Sequence, residues 1–117
     1  MSTKERGDRA EARAAEHLRA AGYTLVTRNY RIKGGEIDLV ARDGGVLCFV
    51  EVRSRADASH GLPEETIGRT KRRRIARAAE HYLAARRLHD APCRFDVVAI
   101  DGDGIRLYKD AFRLDDC

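Results

Sequence analysis

The sequence predicts an α/β domain with a mixed sheet flanked by helices, its elements in the order α-β-β-β-α-β-β. Three observations lead there. Residues 23–53 hold three apolar or β-branched runs separated by Lys33-Gly34-Gly35 and Asp43-Gly44-Gly45, the punctuation of consecutive hairpins. Two proline-free stretches rich in Ala and Arg bracket those runs and read as helices. The second helix precedes another strand, and a strand–helix–strand passage permits a parallel crossover in an otherwise antiparallel sheet.

Residues 5–21 form the first expected helix, ending before Gly22, which suits the C′ position. Its apolar face runs through Ala14, Ala15 and Leu18, and Glu11 falls on that face at helical spacing. Residues 23–32 are β-branched and aromatic, residues 36–42 alternate, and residues 46–53 are strongly apolar, giving three strands in succession. A polar loop at 54–65 contains Gly61 and Pro63. Residues 66–88 carry Ile67, Ile75, Ala78, Ala79 and Tyr82 along one side of a long second helix. A strand at 94–100 turns through Asp101-Gly102-Asp103-Gly104 into a last strand at 105–109. No repeat or low-complexity linker interrupts this order, so residues 1–117 read as one domain.

Composition narrows the function classes. With 117 residues and 43% hydrophobic content, the chain can build one packed core, which argues against wholesale disorder. No run approaches the roughly 18 apolar residues that a spanning helix needs. Residues 1–7 are polar and lack the apolar stretch of a secretory signal. The expectation is a cytoplasmic protein with no membrane association. Three cysteines without a C-x-x-C spacing exclude a disulfide scaffold and a zinc finger, and Cys48, inside an apolar run, reads as a small buried side chain. The charge of +4 comes from 23 basic and 19 acidic residues, and the lysines are only Lys4, Lys33, Lys71 and Lys109. Arginine suits bidentate phosphate contacts, although an Arg- and Ala-rich chain is also what genome composition produces.

The hairpin at Asp43-Gly44-Gly45 places chemistry. A two-residue Gly44-Gly45 loop pairs Asp43 with Val46 and sets Asp38 across from Glu51, and a four-residue loop gives the same register. A three-residue loop would send the two carboxylates to opposite faces. In the first register two like charges meet on apolar strands, an arrangement that destabilises a sheet and raises one pKa unless a cation compensates. Hard oxygen ligands of this kind suit Mg²⁺ or Mn²⁺. Alternation puts Glu36 on the Asp38 face and Arg53 on the Glu51 face. The plain alternative is a solvated sheet face on which acids pair with nearby arginines.

Those residues resemble a known family. G-G-E-I-D-L-V at 34–40 and F-V-E-V-R-S-R at 49–55 are similar to motifs of the bacterial YraN family. So are the G-x-P around Gly61 and Pro63, Lys71 in the second helix, R-F-D-V-V-A-I at 94–100 and D-A-F at 110–112. The resemblance covers nearly the whole chain. That family looks like part of the PD-(D/E)xK, restriction-endonuclease-like nuclease superfamily, which implies an αβββαβ core and metal-dependent phosphodiester hydrolysis. Within the pattern Asp38 matches the first acid, Glu51 the acid of the E-x-K element, and Arg53 stands where the lysine would be. Glu11 fits the N-terminal helix acid of the related Holliday-junction resolvases. In such a site Asp38 and Glu51, joined by Glu11 directly or through water, would hold Mg²⁺ or Mn²⁺, which polarises phosphate and acidifies water. The alternative for Glu11 is a carboxylate paired with an arginine at the helix edge.

Two departures stand out. Arg53 remains protonated and cannot act as a general base, though it can stabilise phosphate charge. Lys71, on the apolar side of the second helix, is the candidate for a migrated lysine; the alternative is a stem on the sheet with its head in solvent. The family's glycine before the helix glutamate is Ala10 here. Arg69, Lys71, Arg72, Arg73, Arg74 and Arg77 form a basic cluster with no acid among them, able to meet successive phosphates or simply to make a solvated face. Asp96 is expected to pair with an arginine or cap its strand, and His60, beside Gly61, to be a surface histidine, the alternative being an approach to the site.

The functional expectation is a Mg²⁺- or Mn²⁺-dependent endonuclease acting on DNA, favoured over RNA, with branched or damaged DNA as candidate substrates. A nucleic-acid-binding module of the same fold that has lost hydrolysis is the alternative, and a partner-binding protein whose acids form salt bridges is a third. A homodimer is compatible with each.

Overall fold

In the computed structural model, residues 3–54 and 67–113 are described. The expected loop after Ser54, with His60, Gly61 and Pro63, lies outside them. The elements are α1 (Thr3–Ala20), β1 (Thr24–Ile32), β2 (Gly35–Asp43), β3 (Val46–Ser54), α2 (Arg69–Ala85), β4 (Cys93–Asp101) and β5 (Gly104–Phe112). They build an α/β fold with one five-stranded sheet in the order β1-β2-β3-β4-β5. β3 and β4 run parallel and the other neighbours antiparallel, so α2 is the crossover between two adjacent strands. The arrangement is consistent with a restriction-endonuclease-like core, with β5 added beside β4. Among the described residues no helix is long and apolar enough to cross a membrane.

Local chemistry explains the ends of the helices. Gly22, at φ +96, takes the left-handed position after α1. Gly22 N–H donates to Arg19 O at 3.0 Å and Tyr23 N–H to Leu18 O at 2.9 Å, the two bonds that close a helix and turn the chain into β1. α2 closes in the same way with Arg87 at φ +55 and Leu88 N–H on Leu83 O at 2.8 Å. It therefore ends at Ala85, three residues short of the expected 88, because an arginine takes the position that glycine usually fills.

Each face of the sheet has its own core. On one side Ala10, Ala14, Ala15 and Leu18 of α1 pack on Leu39, Ala41, Cys48, Val50, Val98 and Ile100. On the other Ile75, Ala78, Ala79, Tyr82 and Leu83 of α2 pack on Val40, Leu47, Phe49, Phe95 and Val97. Phe49 lies edge-on to Tyr82 at 5.8 Å between ring centroids and next to Phe95 at 5.6 Å. Cys48 is buried, and that burial pushes its thiol up to about 12.

Simple alternation fails within the β1–β2 hairpin, and that place matters. Leu39 and Ala41 face α1, yet Ile37, two residues before Leu39, belongs to the α2 core. β1 is irregular as well: its register shifts between Leu25 and Thr27, and Tyr30, paired with Ile37, lies edge-on to Tyr82 of α2 at 5.2 Å. Asn29 sits between that shift and Tyr30 at φ +52. The far end of the β1–β2 hairpin thus rolls toward α2 about a pivot formed by Asn29 and Asp38. Gly35 permits the resulting contact, since a Cβ there would lie 2.6 Å from the Arg74 carbonyl and 3.0 Å from the Ala78 nitrogen.

Candidate active site at the fork between β2 and β3

The Gly44-Gly45 loop has two residues: Asp43 pairs with Val46, and the ladder climbs from there to Leu39↔Val50. It stops one step short of Asp38 and Glu51. The hairpin roll at Asp38 separates the strands there, so the two acids sit at the mouth of a fork. One Asp38 oxygen takes the Val52 backbone N–H at 2.8 Å, replacing a strand-to-strand bond with a side-chain one. The side chains of Asp38 and Glu51 are themselves in hydrogen-bond contact.

Glu51 is 3% exposed. Burial pushes its carboxyl up to about 8, the charge of Asp38 adds to the rise, and Lys71 opposes it. Two carboxyl groups sharing a hydrogen bond in a buried setting need a proton or a cation between them.

Lys71 reaches this pair from α2, its Nζ 3.0 Å from a Glu51 oxygen. Burial alone would lower the ammonium, but the attraction of Glu51, the hydrogen bond to it, and the charges of Asp38 and Glu36 carry its pKa above the ordinary value. The group therefore holds its proton. Of the two readings of Lys71, the one with the ammonium turned toward the sheet describes its position.

Glu11 approaches from α1. Burial raises its pKa first and the Asp38 charge second, while a hydrogen bond from the Asn29 side chain works the other way. The acids are thus met from both layers of the fold: Glu11 from the α1 side and Lys71 from the α2 side. Alternation puts Asp38 and Glu51 on one sheet face, and the ladder ends beside them at Leu39↔Val50. Asn29 was not singled out from the sequence, and its signal was a lone asparagine, tolerant of left-handed backbone, inside a β-forming run.

The remaining candidates spread outward. Glu36 is engaged across the hairpin by Arg31 at 3.5 Å. Arg53, half-buried, lies beside Ala99 in the parallel ladder, two residues along β3 from Glu51. Arg69, Arg73, Arg74 and Arg77 are exposed on α2, and Arg72 is half-buried with its Nε lacking a hydrogen bond among the described residues. Among the described residues the acids do not form a three-ligand group around a common point, so the close pair is Asp38 with Glu51.

A second polar cluster is centred on Asp96, which lies across from Val50 in the β3–β4 ladder. Asp96, fully buried, accepts hydrogen bonds from Tyr23 Oη at 2.7 Å, Arg94 Nε at 2.9 Å and the Asp110 backbone at 2.9 Å. Arg94 also donates to Asp43 at 2.6 Å, which Lys109 reaches at 3.1 Å. The expected arginine partner of Asp96 is therefore Arg94, and every oxygen of this acid is occupied by the fold. The cluster ties Tyr23, just before β1, to β2, β4 and β5.

Comparison with known proteins agrees with the resemblance in the motifs. The model of the uncharacterised protein family UPF0102 matches residues 10–100. A UPF0102 protein of Dechloromonas aromatica is 50% identical over 98% of this chain and 94% of its own length. One from Lachnoclostridium phytofermentans is 48% identical over 96% of both chains, and one from Ralstonia pickettii is 49% identical over 97% and 94%. A solved structure described as the crystal structure of SSO0001 superposes with a TM-score of 0.46 at 21% identity, covering 89% of this chain and 50% of that one.

Proposed function

The chain belongs to the UPF0102 family, and from that premise we propose that it is a Mg²⁺- or Mn²⁺-dependent endonuclease hydrolysing DNA phosphodiester bonds, with branched or damaged DNA as its substrates. The observation that carries this reading is the Asp38–Glu51 pair: two carboxyl groups in contact, one of them buried and raised to about 8, with an ammonium 3.0 Å away. Holding two carboxyl groups together with one of them buried is costly, and a divalent ion would remove that cost.

The donor set fits such an ion. Asp38 and Glu51 offer hard carboxylate oxygens, and Glu11 adds negative charge from the α1 side. An ion held there would polarise a phosphate oxygen and acidify a water molecule. Lys71, with its raised pKa, neutralises charge developing on the phosphate rather than removing a proton. The arginines of α2 hold the strand by its phosphates. A cytoplasmic setting goes with this reading, and Cys48 and Cys93 are free thiols.

Arg53 supports a second reading, a binding module of the same fold without hydrolysis. A cleavage screen with Mn²⁺ over linear, branched and single-stranded DNA separates the two. The nuclease cuts at least one substrate, and Asp38→Ala cuts none. Binding without cutting by the unmodified protein leaves the module. Absence of DNA affinity at low salt removes both.

A further inference from the structure

The flank of α2 beside the β1–β2 turn carries a basic cavity separate from the acid fork. Thr70, Arg73, Arg74 and Arg77 recur at i, i+3, i+4 and i+7, a single stripe of the helix next to the buried one. With Gly34 they line a cavity of about 260 Å³. The turn closes it: at Gly34, whose φ is +84, a Cβ would stand 2.6 Å from Arg77 Nη1, so the guanidinium lies directly over bare backbone.

Among the described residues no carboxylate compensates the charge in this cavity. Arg31, Arg94, Arg106 and Arg113 each have a carboxylate partner. Among the described residues Arg73, Arg74 and Arg77 have none. Three planar guanidiniums and a threonine hydroxyl line one concave spot, and no carboxylate is among the described residues that line it. No aromatic ring lines the cavity, so a base has nothing to stack on. A tetrahedral oxyanion suits that donor set better than a carboxylate, because it offers acceptors in several directions at once.

We propose that this cavity seats one phosphate of a bound nucleic-acid strand and so fixes where that strand crosses the acid pair. The inference rests on the nuclease reading and specifies it. Lys71 stands on the same helix next to Thr70, and the axial rise from Lys71 to Arg77 is about 9 Å. A strand anchored in the cavity is therefore held by a rigid element at a constant offset from Asp38 and Glu51. Recognition is of the backbone and carries no sequence preference.

The number of phosphates engaged tests the proposal. DNA affinity is measured against salt concentration for the unmodified protein and for R73A/R74A/R77A. These side chains are exposed, and circular dichroism and thermal melting check that the variant is folded. Seating of a single phosphate predicts weaker binding and a salt slope shallower by about 0.9, although three charges are removed. Mn²⁺ binding at the acid pair stays at its original level. A slope shallower by about 2.7 means three separate phosphates and overturns the cavity as one subsite. An unchanged slope, or an equal fall in R13A/R19A on α1, overturns it as well. These outcomes leave DNA binding in place, whereas failure of the unmodified protein to bind DNA at low salt removes the nuclease reading and the subsite together.

Discussion

Lys71 Nζ lies 3.0 Å from a Glu51 carboxylate oxygen, although Glu51 is on a central strand and Lys71 on the helix that follows a long connection. The ammonium therefore stands next to the acid pair without coming from the position two residues after Glu51, which Arg53 occupies. Its attraction to Glu51 and Asp38 keeps it protonated, so its contribution to any reaction there is charge and position.

Replacing Lys71 should show this directly. Because Lys71 lowers the Glu51 pKa, K71M should move Glu51 titration above its value of about 8, read by carboxyl ¹³C NMR. If the site is a nuclease, cleavage should fall about 10²–10³-fold with Mn²⁺ still bound. An unmoved Glu51 titration would show that the two groups are uncoupled in solution.

Stability of the metal-free protein should decline as pH rises from about 5 toward about 8. Glu51 has its pKa raised on folding, so the folded state holds a proton that the unfolded chain has released over that window. The stabilisation is complete below the ordinary carboxylate range and lost through the folded value. Urea midpoints between pH 5 and 9 measure it. E51Q should flatten that dependence, and Mn²⁺ should stabilise the unmodified protein more at pH 8 than at pH 6, because proton and metal compete for the same oxygens.

Asp96→Ala should cost about 3–5 kcal/mol, since it leaves Arg94 and Tyr23 facing a buried gap where a carboxylate had been. Denaturant unfolding gives the value. Mn²⁺ binding to the folded variant should be close to that of the unmodified protein, because the hydrogen bonds of Asp96 go to Tyr23, Arg94 and Asp110 and not to the acid pair.

Gly35→Ala should cost about 1–3 kcal/mol. Its Cβ would meet the Arg74 carbonyl at 2.6 Å and the Ala78 nitrogen at 3.0 Å, and backbone atoms cannot move aside as a side chain would. The same test at Gly45, where a Cβ would meet nothing within 4 Å, should change stability far less in the same unfolding assay.

Much of this protein is written locally. Gly22 ends the first helix because it tolerates a left-handed backbone, and Gly44-Gly45 sets the β2–β3 register because a two-residue loop leaves no other pairing. Ala14, Ala15 and Leu18 mark one buried face and Ile75, Ala78 and Tyr82 another, through helical periodicity alone. From these followed the element order, the parallel crossover and the neighbourhood of Asp38 and Glu51. Tertiary structure decided what that neighbourhood became. Period-two alternation assumes a regular strand, and the roll at Asn29 and Asp38 breaks it, leaving a fork where Glu11 bears on Asp38 from the α1 layer and Lys71 meets Glu51 from the α2 layer. The rise in the Glu51 pKa likewise depends on α2 covering it and on Asp38 standing beside it. Both are effects of distance across the fold, which spacing along the chain does not encode.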